Sequence, residues 1–324
     1  MTQQAAQQAQ AALLSKAGRK RVTTGPAVVP KLHVGTWGQQ KTRKSSLIVR
    51  ARTSEVRLPP TVAADFSTTP GEVVMPSRPL RIAYANFDRN ADTLWADLQG
   101  DEDIIEEEFY EDEEGVPLSL TGPAQIARVL NRFREFINDL ERDKDRDLFG
   151  IDGGTIVWEH QRGVHLDPLP PAGKTPEGDP RHLPRQYGPA NNAMRQDVMQ
   201  RVYNMPIHTV ITREAGERWA GQNAPMEDPR EPGGVALRQD GWNKTGYYVD
   251  LDVQMRVVKN DGQPPRHTAI FHTSIRAELI GTEMLNPTFG KLYSAVYHKP
   301  LLLPEQVEEF NRLMGEHDGK LVWD

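Results

Sequence analysis

The chain has 324 residues, of which 37% are hydrophobic and 26% charged, and its formal net charge is −6. This composition is typical of a globular protein with one large domain or two modest ones, and it excludes fibrous, collagenous and fully disordered chains. The absence of cysteine excludes disulfides, thiolate metal ligands and thiol nucleophiles. No apolar run approaches the roughly 20 residues of a membrane span, and the N-terminus lacks a signal-peptide pattern, so we expect a cytoplasmic protein without membrane contact.

Charge is distributed unevenly along the chain. Residues 16–57 contain eleven lysines and arginines but one acid, Glu55, whereas ten of the fourteen residues from 101 to 114 are acidic. Such blocks of like charge repel themselves and favour solvated segments. We predict a flexible basic arm over residues 1–28, and a solvated loop or exposed helix face over residues 101–114.

Short apolar runs predict strands at residues 31–34, 80–87, 148–151 and 207–211, and residues 53–78 are predicted to be irregular. The clearest helix follows an N-cap at Thr121, and a second helix is predicted over residues 191–205. The first has an apolar stripe at helical spacing: Ile126, Leu130, Phe133, Phe136, Ile137 and Leu140. This alternation of strands and helices favours an α/β fold with a mainly parallel sheet flanked by helices.

The C-terminal half has a different pattern. Residues 162–189 are rich in proline and glycine and predict a long loop. Residues 247–258 and 267–277 alternate apolar and polar side chains and predict an antiparallel hairpin around Asn260-Asp261-Gly262. We therefore predict a core over residues 29–300 with an antiparallel C-terminal extension, followed by a helix near residues 304–314 and a tail.

The segment with the clearest chemistry follows the first strand. Residues 35–42 read Gly-Thr-Trp-Gly-Gln-Gln-Lys-Thr, the spacing of a phosphate-binding loop, G-x-x-x-x-G-K-[ST], with Gln40 where the second glycine normally stands. Such a loop needs converging backbone N–H groups, a lysine for the phosphates and a hydroxyl for Mg²⁺. Lys41 and Thr42 supply the last two, while Gln40 introduces a Cβ that strains or reshapes the loop. The candidate nucleotide-binding residues are Gly35, Thr36, Trp37, Gly38, Gln39, Gln40, Lys41, Thr42 and Arg43.

A second register also fits the spacing. It runs from Gly38 to Ser45, with Arg43 in the glycine position and Lys44 as the phosphate lysine. We prefer the first register because Gly35 directly follows the predicted strand. The alternative without function is a basic turn that contributes only surface charge. Trp37 has two interpretations, stacking on a base and filling a local cavity.

The order of motifs resembles a RecA-like P-loop ATPase, and within that group the phage recombination and single-strand annealing ATPases, which are AAA-type ATP-binding proteins. The matching segments are HVGTWGQQKT, YANFDRN, LFGIDGG, IHTVITRE and GWNKTGYYVDL. The resemblance implies a RecA-like core, ATP and Mg²⁺ as cofactors, and a homo-oligomeric ring or filament in a phage or prokaryotic host cytoplasm.

The resemblance also implies roles for single residues. Asp152 matches the acid that holds Mg²⁺ together with Thr42, and Asp88 matches the carboxylate that positions the attacking water. Thr212 and Arg213 match the polar residues that sense the γ-phosphate, and Lys244, in GWNKTG, matches a cation that acts across a subunit interface. Phosphoryl transfer requires such carboxylates and cations to stabilise charge and align a water molecule. The structural alternatives are a turn at Asp152, a helix cap at Asp88, and solvated or ion-paired cations at residues 213 and 244.

Single-stranded DNA is the expected partner. Two sets of side chains support this expectation. One is a block of cations that could bind phosphates, and the other combines cations with aromatic rings, as single-strand channels do. They are Lys16, Arg19, Lys20, Arg21, Arg43, Lys44, Arg50 and Arg52 in the basic block, and Arg218, Trp219, Arg230, Arg238 and Trp242 in the segment 216–242. The resulting hypothesis is a Mg²⁺-dependent ATPase acting in DNA recombination, annealing or replication. Its rivals are an inactive P-loop protein with a structural or assembly role, and a DNA-packaging or helicase-loading motor.

Overall fold

The computed structural model describes residues 29–53, 56–57, 61–62, 68–69, 73–74, 76–88, 103–111, 122–143, 145–174, 180–218, 225–228, 231–258, 264–303 and 306. Two compact units divide the chain. One comprises Lys31–Leu301 with Leu321–Asp324, and the other Met1–Pro30 with Leu302–Lys320. Every element below belongs to the first unit. The predicted arm over residues 1–28 lies outside the described residues, as does the predicted helix near 304–314 apart from residue 306.

A nine-stranded sheet forms the centre of the first unit. Its strands are β1 (His33–Gly38), β2 (Ile82–Asn86), β3 (Ile104–Glu108), β4 (Leu148–Asp152), β5 (His208–Glu217), β6 (Leu237–Gln239), β7 (Leu251–Val258), β8 (Arg266–Ser274) and β9 (Glu283–Leu285). The spatial order is β9-β8-β7-β1-β5-β4-β2-β3, and β6 pairs with β5. Strands β7, β1, β5, β4, β2 and β3 are parallel, whereas β6, β8 and β9 pair antiparallel. The predicted mainly parallel sheet with an antiparallel C-terminal extension is therefore confirmed.

The helices follow the strands in an α/β pattern. They are α1 (Lys44–Val49), α2 (Pro123–Arg142), α3 (Gly154–Leu166), α4 (Gly188–Ala193), α5 (Gln200–Asn204) and α6 (Phe289–Tyr297), and a π-helical segment, Met194–Met199, joins α4 to α5. Short 3₁₀ turns lie at Arg50–Thr53, Pro184–Tyr187, Thr245–Tyr248 and Ala277–Leu279. Two-residue strands occur at Val56–Arg57, Thr61–Val62, Thr68–Thr69, Val73–Val74, Gly173–Lys174, Pro180–Arg181 and Glu227–Asp228, the last paired with Glu231–Val235.

Helices cover both faces of the sheet. Strands β2 and β4 are buried along their whole length, as expected of apolar strands in a parallel sheet with two covered faces. On one face, Phe149 and Ile151 join a core with α2, α3 and the π-helical segment. On the other face, α1 packs so closely that a Cβ on Gly150 would lie 2.3 Å from Cγ2 of Ile48. Side chains of alternate residues in one strand thus enter different layers.

The predicted stripe of α2 faces the first of these layers. Leu130, Phe133, Ile137 and Leu140 are buried, as the helical periodicity predicted. Phe133 makes an edge contact with Phe87, with ring centroids 4.9 Å apart. This aromatic contact joins α2 to the end of β2, where the candidate residue Asp88 follows.

His160 of α3 lies beside the same core, and burial lowers its pKa to about 4. The imidazole of His160 therefore binds a proton near pH 6.5 in the unfolded chain but only near pH 4 in the folded chain. The free energy of unfolding consequently falls as the pH drops from about 6.5 towards 4. We expect this single group to remove roughly 2 kcal/mol of stability over that interval. In His160→Gln the loss between pH 7 and pH 4, measured by urea unfolding, should be smaller by about that amount.

Over residues 103–111, the part of the acidic segment that the structure describes, the predicted loop or helix is wrong, although Glu106 and Glu108 are exposed as expected. In this segment, Ile104–Glu108 is strand β3, an edge strand that pairs with β2, and the following Phe109 and Tyr110 are buried. The charges are tolerated because β3 is an edge strand with exposed positions. Charged side chains on an edge strand also disfavour its pairing with a strand of another chain. Glu107 is bound by Arg132 of α2 at 2.8 Å.

The predicted loop over residues 162–189 was also wrong in part, because α3 extends to Leu166 and α4 begins at Gly188. The helix predicted over residues 191–205 is confirmed within α4, the π-helical segment and α5. The predicted hairpin is confirmed as β7 and β8, whereas its turn at Asn260-Asp261-Gly262 lies outside the described residues. Of the described helices, none has the length and apolar character required to cross a membrane.

Candidate functional site

The candidate site lies where parallel strands end. Strand β1 ends at Gly38, β2 at Asn86 and β4 at Asp152, and the parallel pairing brings their carboxyl ends to one edge of the sheet. Ligands of open α/β sheets bind outside this edge. The segment 39–43, which joins β1 to α1, crosses it.

The segment 39–43 has an unusual backbone. Lys41 and Arg43 adopt left-handed conformations with φ of 62° and 67°, and Gln40 is absent from the positive-φ residues of the described chain. The strain that the sequence assigned to Gln40 therefore falls on its neighbours. At Gly38, a Cβ would lie 2.3 Å from the carbonyl oxygen of Met255 in β7, so the close approach of two strands requires glycine there.

Arg43→Gly is expected to raise the free energy of unfolding by about 0.5–1 kcal/mol. The left-handed backbone costs a residue with a Cβ about 1–2 kcal/mol, and the greater freedom of glycine in the unfolded chain offsets part of that gain. The matched control is Arg50→Gly, because Arg50 has a right-handed backbone with φ of −76° and should lose stability. Urea unfolding measures both, and a loss of stability in both variants would contradict strain at residue 43.

Lys44 begins α1 and closes the segment 39–43. Its ammonium donates to the carbonyl oxygens of Gly38 and Gln39, both at 2.9 Å. Burial lowers the pKa of Lys44, while the carboxylates of Asp152 and Asp88 raise it. One lysine therefore holds the loop together and lies within electrostatic range of both candidate acids.

Lys41 and Thr42, the lysine and the hydroxyl of the first register, do not share the contacts of Lys44. The Lys41 side chain is exposed, and the Thr42 hydroxyl donates to the carbonyl oxygen of Gln39 at 2.8 Å and is buried. Gly35, Thr36 and Trp37 are not in a loop, because β1 continues through them to Gly38 and pairs with β5 and β7. The first register thus places four of its eight residues in a strand, whereas the second register, Gly38 to Ser45, spans the loop.

A row of polar residues crosses the sheet below Lys44. Thr36 of β1 is paired with Thr212 of β5, and Asn86 of β2 is paired with both Asp152 and Glu108. Paired residues of neighbouring strands point to the same face, and this is the face on which α1 packs. Four of the five side chains are buried, so the row is a buried polar layer near the carboxyl ends of the strands.

Asp152 lies at the centre of this row, and both of its carboxylate oxygens accept hydrogen bonds. The Tyr84 hydroxyl donates to Oδ2 at 2.5 Å, and the Thr212 hydroxyl donates to Oδ1 at 2.5 Å. Burial and the Asp152 charge raise the pKa of Tyr84 far above its usual range, so its hydroxyl stays protonated and acts as a donor. The predicted Asp152 and Thr212 are thus brought together, whereas Tyr84, the first residue of the matching segment YANFDRN, was given no role by the sequence.

Asp88 follows β2 by two residues and is half-buried. Its backbone amide nitrogen lies 3.3 Å from the position that a Cβ on Gly153 would take. Phe87, between β2 and Asp88, donates its backbone N–H to the carbonyl oxygen of Asp152 at 2.9 Å. The backbone therefore ties the segment that carries Asp88 to the end of β4.

Arg213 is not brought to the loop. It is buried on the opposite face of β5 from Thr212, where its guanidinium donates to Asp252 and to Gln239. Its charge is neutralised by Asp252, so a direct contact with a phosphate on the α1 face is excluded by its position in this structure. Lys244 is exposed and precedes the 3₁₀ turn Thr245–Tyr248.

Trp37 and the predicted DNA-binding segment meet at a cavity of about 540 Å³ on the face of Arg213. Trp37 is buried against His272, with ring centroids 4.9 Å apart, so it fills a local space as its second interpretation predicted. The rim carries Arg218, Arg238 and Tyr247, the last with 84% of its surface exposed. Trp242 is instead a core residue, and its indole N–H donates to Asn191 at 2.8 Å. Trp219, Arg230 and residues 16–21 lie outside the described residues.

The oxygen donors around Lys44 are of the kind that Mg²⁺ prefers. The Ser45 hydroxyl and the Asp152 carboxylate are hard ligands, and Mg²⁺ usually combines one or two such groups with water and substrate phosphates. Within the described ranges, no group of three or more His, Cys, Asp or Glu side chains is arranged to hold a metal. In its chemistry, this set of one hydroxyl and one carboxylate fits a Mg²⁺ ion that is bound together with phosphates.

Comparisons with known proteins identify no family. No family model and no curated protein matches the chain. Among solved structures, the RadB recombinase aligns with a TM-score of 0.39 and 9% sequence identity, over 80% of this chain and 88% of that one.

Proposed function

We propose that the unit Lys31–Leu301 is a RecA-like P-loop ATPase that binds Mg²⁺-ATP in the second register, with its phosphates on the loop from Gly38 to Ser45. The observation that carries the proposal is the Lys44 ammonium, which bridges the carbonyl oxygens of Gly38 and Gln39 at the carboxyl edge of the sheet. In P-loop NTPases the loop lysine reaches the β- and γ-phosphates, and the two carbonyls hold the Lys44 ammonium at the edge where we propose that the phosphates bind.

The proposed roles follow from the chemistry of each group. Lys44 stabilises the negative charge of the phosphates, and the Ser45 hydroxyl and the Asp152 carboxylate hold Mg²⁺, directly or through water. When bound, Mg²⁺ neutralises charge that develops on the transferred phosphate. Asp88 accepts a hydrogen bond from the attacking water and orients it. Asp88, Lys44 and Asp152 interact electrostatically, which supports a common site.

We further propose that the ATPase acts on single-stranded DNA in recombination or annealing, as a ring or filament in which Lys244 contacts the next subunit. The exposed ring of Tyr247 and the exposed cations Arg218 and Arg238 beside one cavity support a single-strand partner, because stacking and phosphate contacts together bind single strands. The exposure of Lys244 agrees with a role between subunits.

The test is phosphate release from ATP by wild type and Lys44→Ala, with Mg²⁺ and with no DNA, single-stranded DNA or duplex DNA. We expect turnover that depends on Lys44 and rises with single-stranded DNA. Nucleotide binding without turnover would favour the inactive P-loop protein, for which the strained Arg43 in the usual glycine position is the best support. Stimulation by duplex DNA alone would favour the packaging or helicase-loading motor.

A further inference from the structure

The hydrogen bonds of the Asp152 carboxylate leave it little freedom to turn. Tyr84 occupies Oδ2 and Thr212 occupies Oδ1, each at 2.5 Å. The Thr212 hydroxyl is itself held, because it accepts the backbone N–H of Gly153 at 2.9 Å. Rotation of the carboxylate would break both bonds in a buried place where water cannot replace them.

Tyr84 is held as firmly as Thr212. It is fully buried in the middle of β2 and is paired with Gly150 of β4. The space beside Gly150 is filled by Ile48 of α1, which a Cβ at residue 150 would overlap. The ring is therefore confined by the strands and α1. Its hydroxyl reaches Asp152, which lies two residues after Gly150 in β4 and hence on the same face of the sheet.

Two hydroxyl donors on one carboxylate still leave it able to bind a metal. Each carboxylate oxygen has two lone pairs, so one remains on each oxygen of Asp152. A metal ion or its bound water can engage these lone pairs while Tyr84 and Thr212 keep their bonds. A phenylalanine at residue 84 would retain the ring packing but leave Oδ2 without its donor, so packing alone does not account for the hydroxyl.

We infer that Tyr84 is a positioning residue, which fixes the Asp152 carboxylate in the orientation that receives the Mg²⁺ of the bound nucleotide. The inference rests on the proposed function and adds to it a residue from β2 to which the sequence motifs assigned no role. Groups that orient a metal ligand usually contribute 10–100-fold to metal affinity or activity.

The test is equilibrium binding of the fluorescent nucleotide mant-ATP, measured once with Mg²⁺ and once with EDTA, for wild type and Tyr84→Phe. We expect the dissociation constant with Mg²⁺ to rise about 10-fold in the variant. The dissociation constant in EDTA should stay at the wild-type value, because Tyr84 acts through the metal ligand and not on the phosphates. Urea unfolding of both proteins shows whether the variant keeps its fold.

The matched control is Tyr110→Phe. Tyr110 is also buried, but its hydroxyl donates to the carbonyl oxygen of Phe87 at 3.2 Å and lies 3.3 Å from Nε2 of His160. This variant loses a buried hydroxyl as Tyr84→Phe does, and we expect it to bind mant-ATP as wild type does in both conditions.

Three results would overturn the inference. Equal binding of Mg²⁺-mant-ATP by Tyr84→Phe and wild type would show that the hydroxyl does not act on the metal site. Equal weakening with Mg²⁺ and with EDTA would assign Tyr84 to the support of the loop. If wild type itself binds no nucleotide in either condition, the proposed function fails and the inference fails with it, an outcome distinct from the other two.

Discussion

Replacing Lys44 by alanine is expected to lower the turnover number for ATP by about 100- to 1,000-fold. The Lys44 ammonium closes the loop on the carbonyl oxygens of Gly38 and Gln39, and it is the loop cation that interacts with Asp152 and Asp88. Its removal takes away a positive charge that stabilises the phosphates in the transition state. Phosphate release at saturating ATP and Mg²⁺ measures the effect.

Lys41→Ala is the matched control, because it removes the same side chain three residues earlier in the same loop. Lys41 is exposed, so its loss should change turnover by no more than about twofold. The two variants separate the two registers of the loop. Loss of activity in Lys41→Ala with full activity in Lys44→Ala would restore the first register and refute the assignment of Lys44.

Asp152→Asn is expected to lower ATP turnover by a similar factor, about 100- to 1,000-fold, since it removes the carboxylate charge from the Mg²⁺ site. The amide has nearly the same shape and can still bond to Tyr84 and Thr212, so the fold should persist. Binding of mant-ATP should become almost the same with Mg²⁺ and with EDTA. Phosphate release and the two binding measurements check these effects.

The control for this variant is Asp139→Asn, a change of the same kind on the exposed surface of α2. It should retain wild-type turnover and the wild-type response to Mg²⁺. Wild-type turnover by Asp152→Asn would remove Asp152 from the site and would leave its hydroxyl donors with a purely structural role.

The strands of the sheet centre were predictable because their side chains are almost wholly apolar. The runs ending at Phe87 and Ile151 predicted β2 and β4, and the polar residues just after them predicted an edge with Asp88 and Asp152. The stripe of α2 was predictable because the helical period repeats over about four turns, from Ile126 to Leu140. Patterns of this kind depend on local sequence alone.

The end of the first strand was not predictable in this way. Gly35 was taken as the end of the first strand, but pairing with β5 on one side and β7 on the other extends β1 to Gly38. These partners are more than 170 residues away in sequence, as the pairs Gly35↔Ile211 and Gly35↔Asp252 show. Tertiary pairing therefore overrode the local preference of glycine for a turn.

Two further features depended on distant contacts. Helix α3 begins at Gly154 and includes Gly163, and glycine lowers helix propensity, so its pattern was weak. Strand β3 is acidic, and its pairing with β2 overcomes the repulsion that predicted a solvated segment. Tyr84 stands in the matching segment YANFDRN, but its contact with Asp152 spans 68 residues, so the sequence assigned it no role.

The most direct measurement is a crystal structure of the protein with Mg²⁺ and a non-hydrolysable ATP analogue. We predict that the β- and γ-phosphates lie on the backbone of residues 39–44 with the Lys44 ammonium in contact, and that the ion lies between Ser45 and Asp152. A triphosphate held by Lys41, or one bound away from the end of β4, would contradict this assignment of the site.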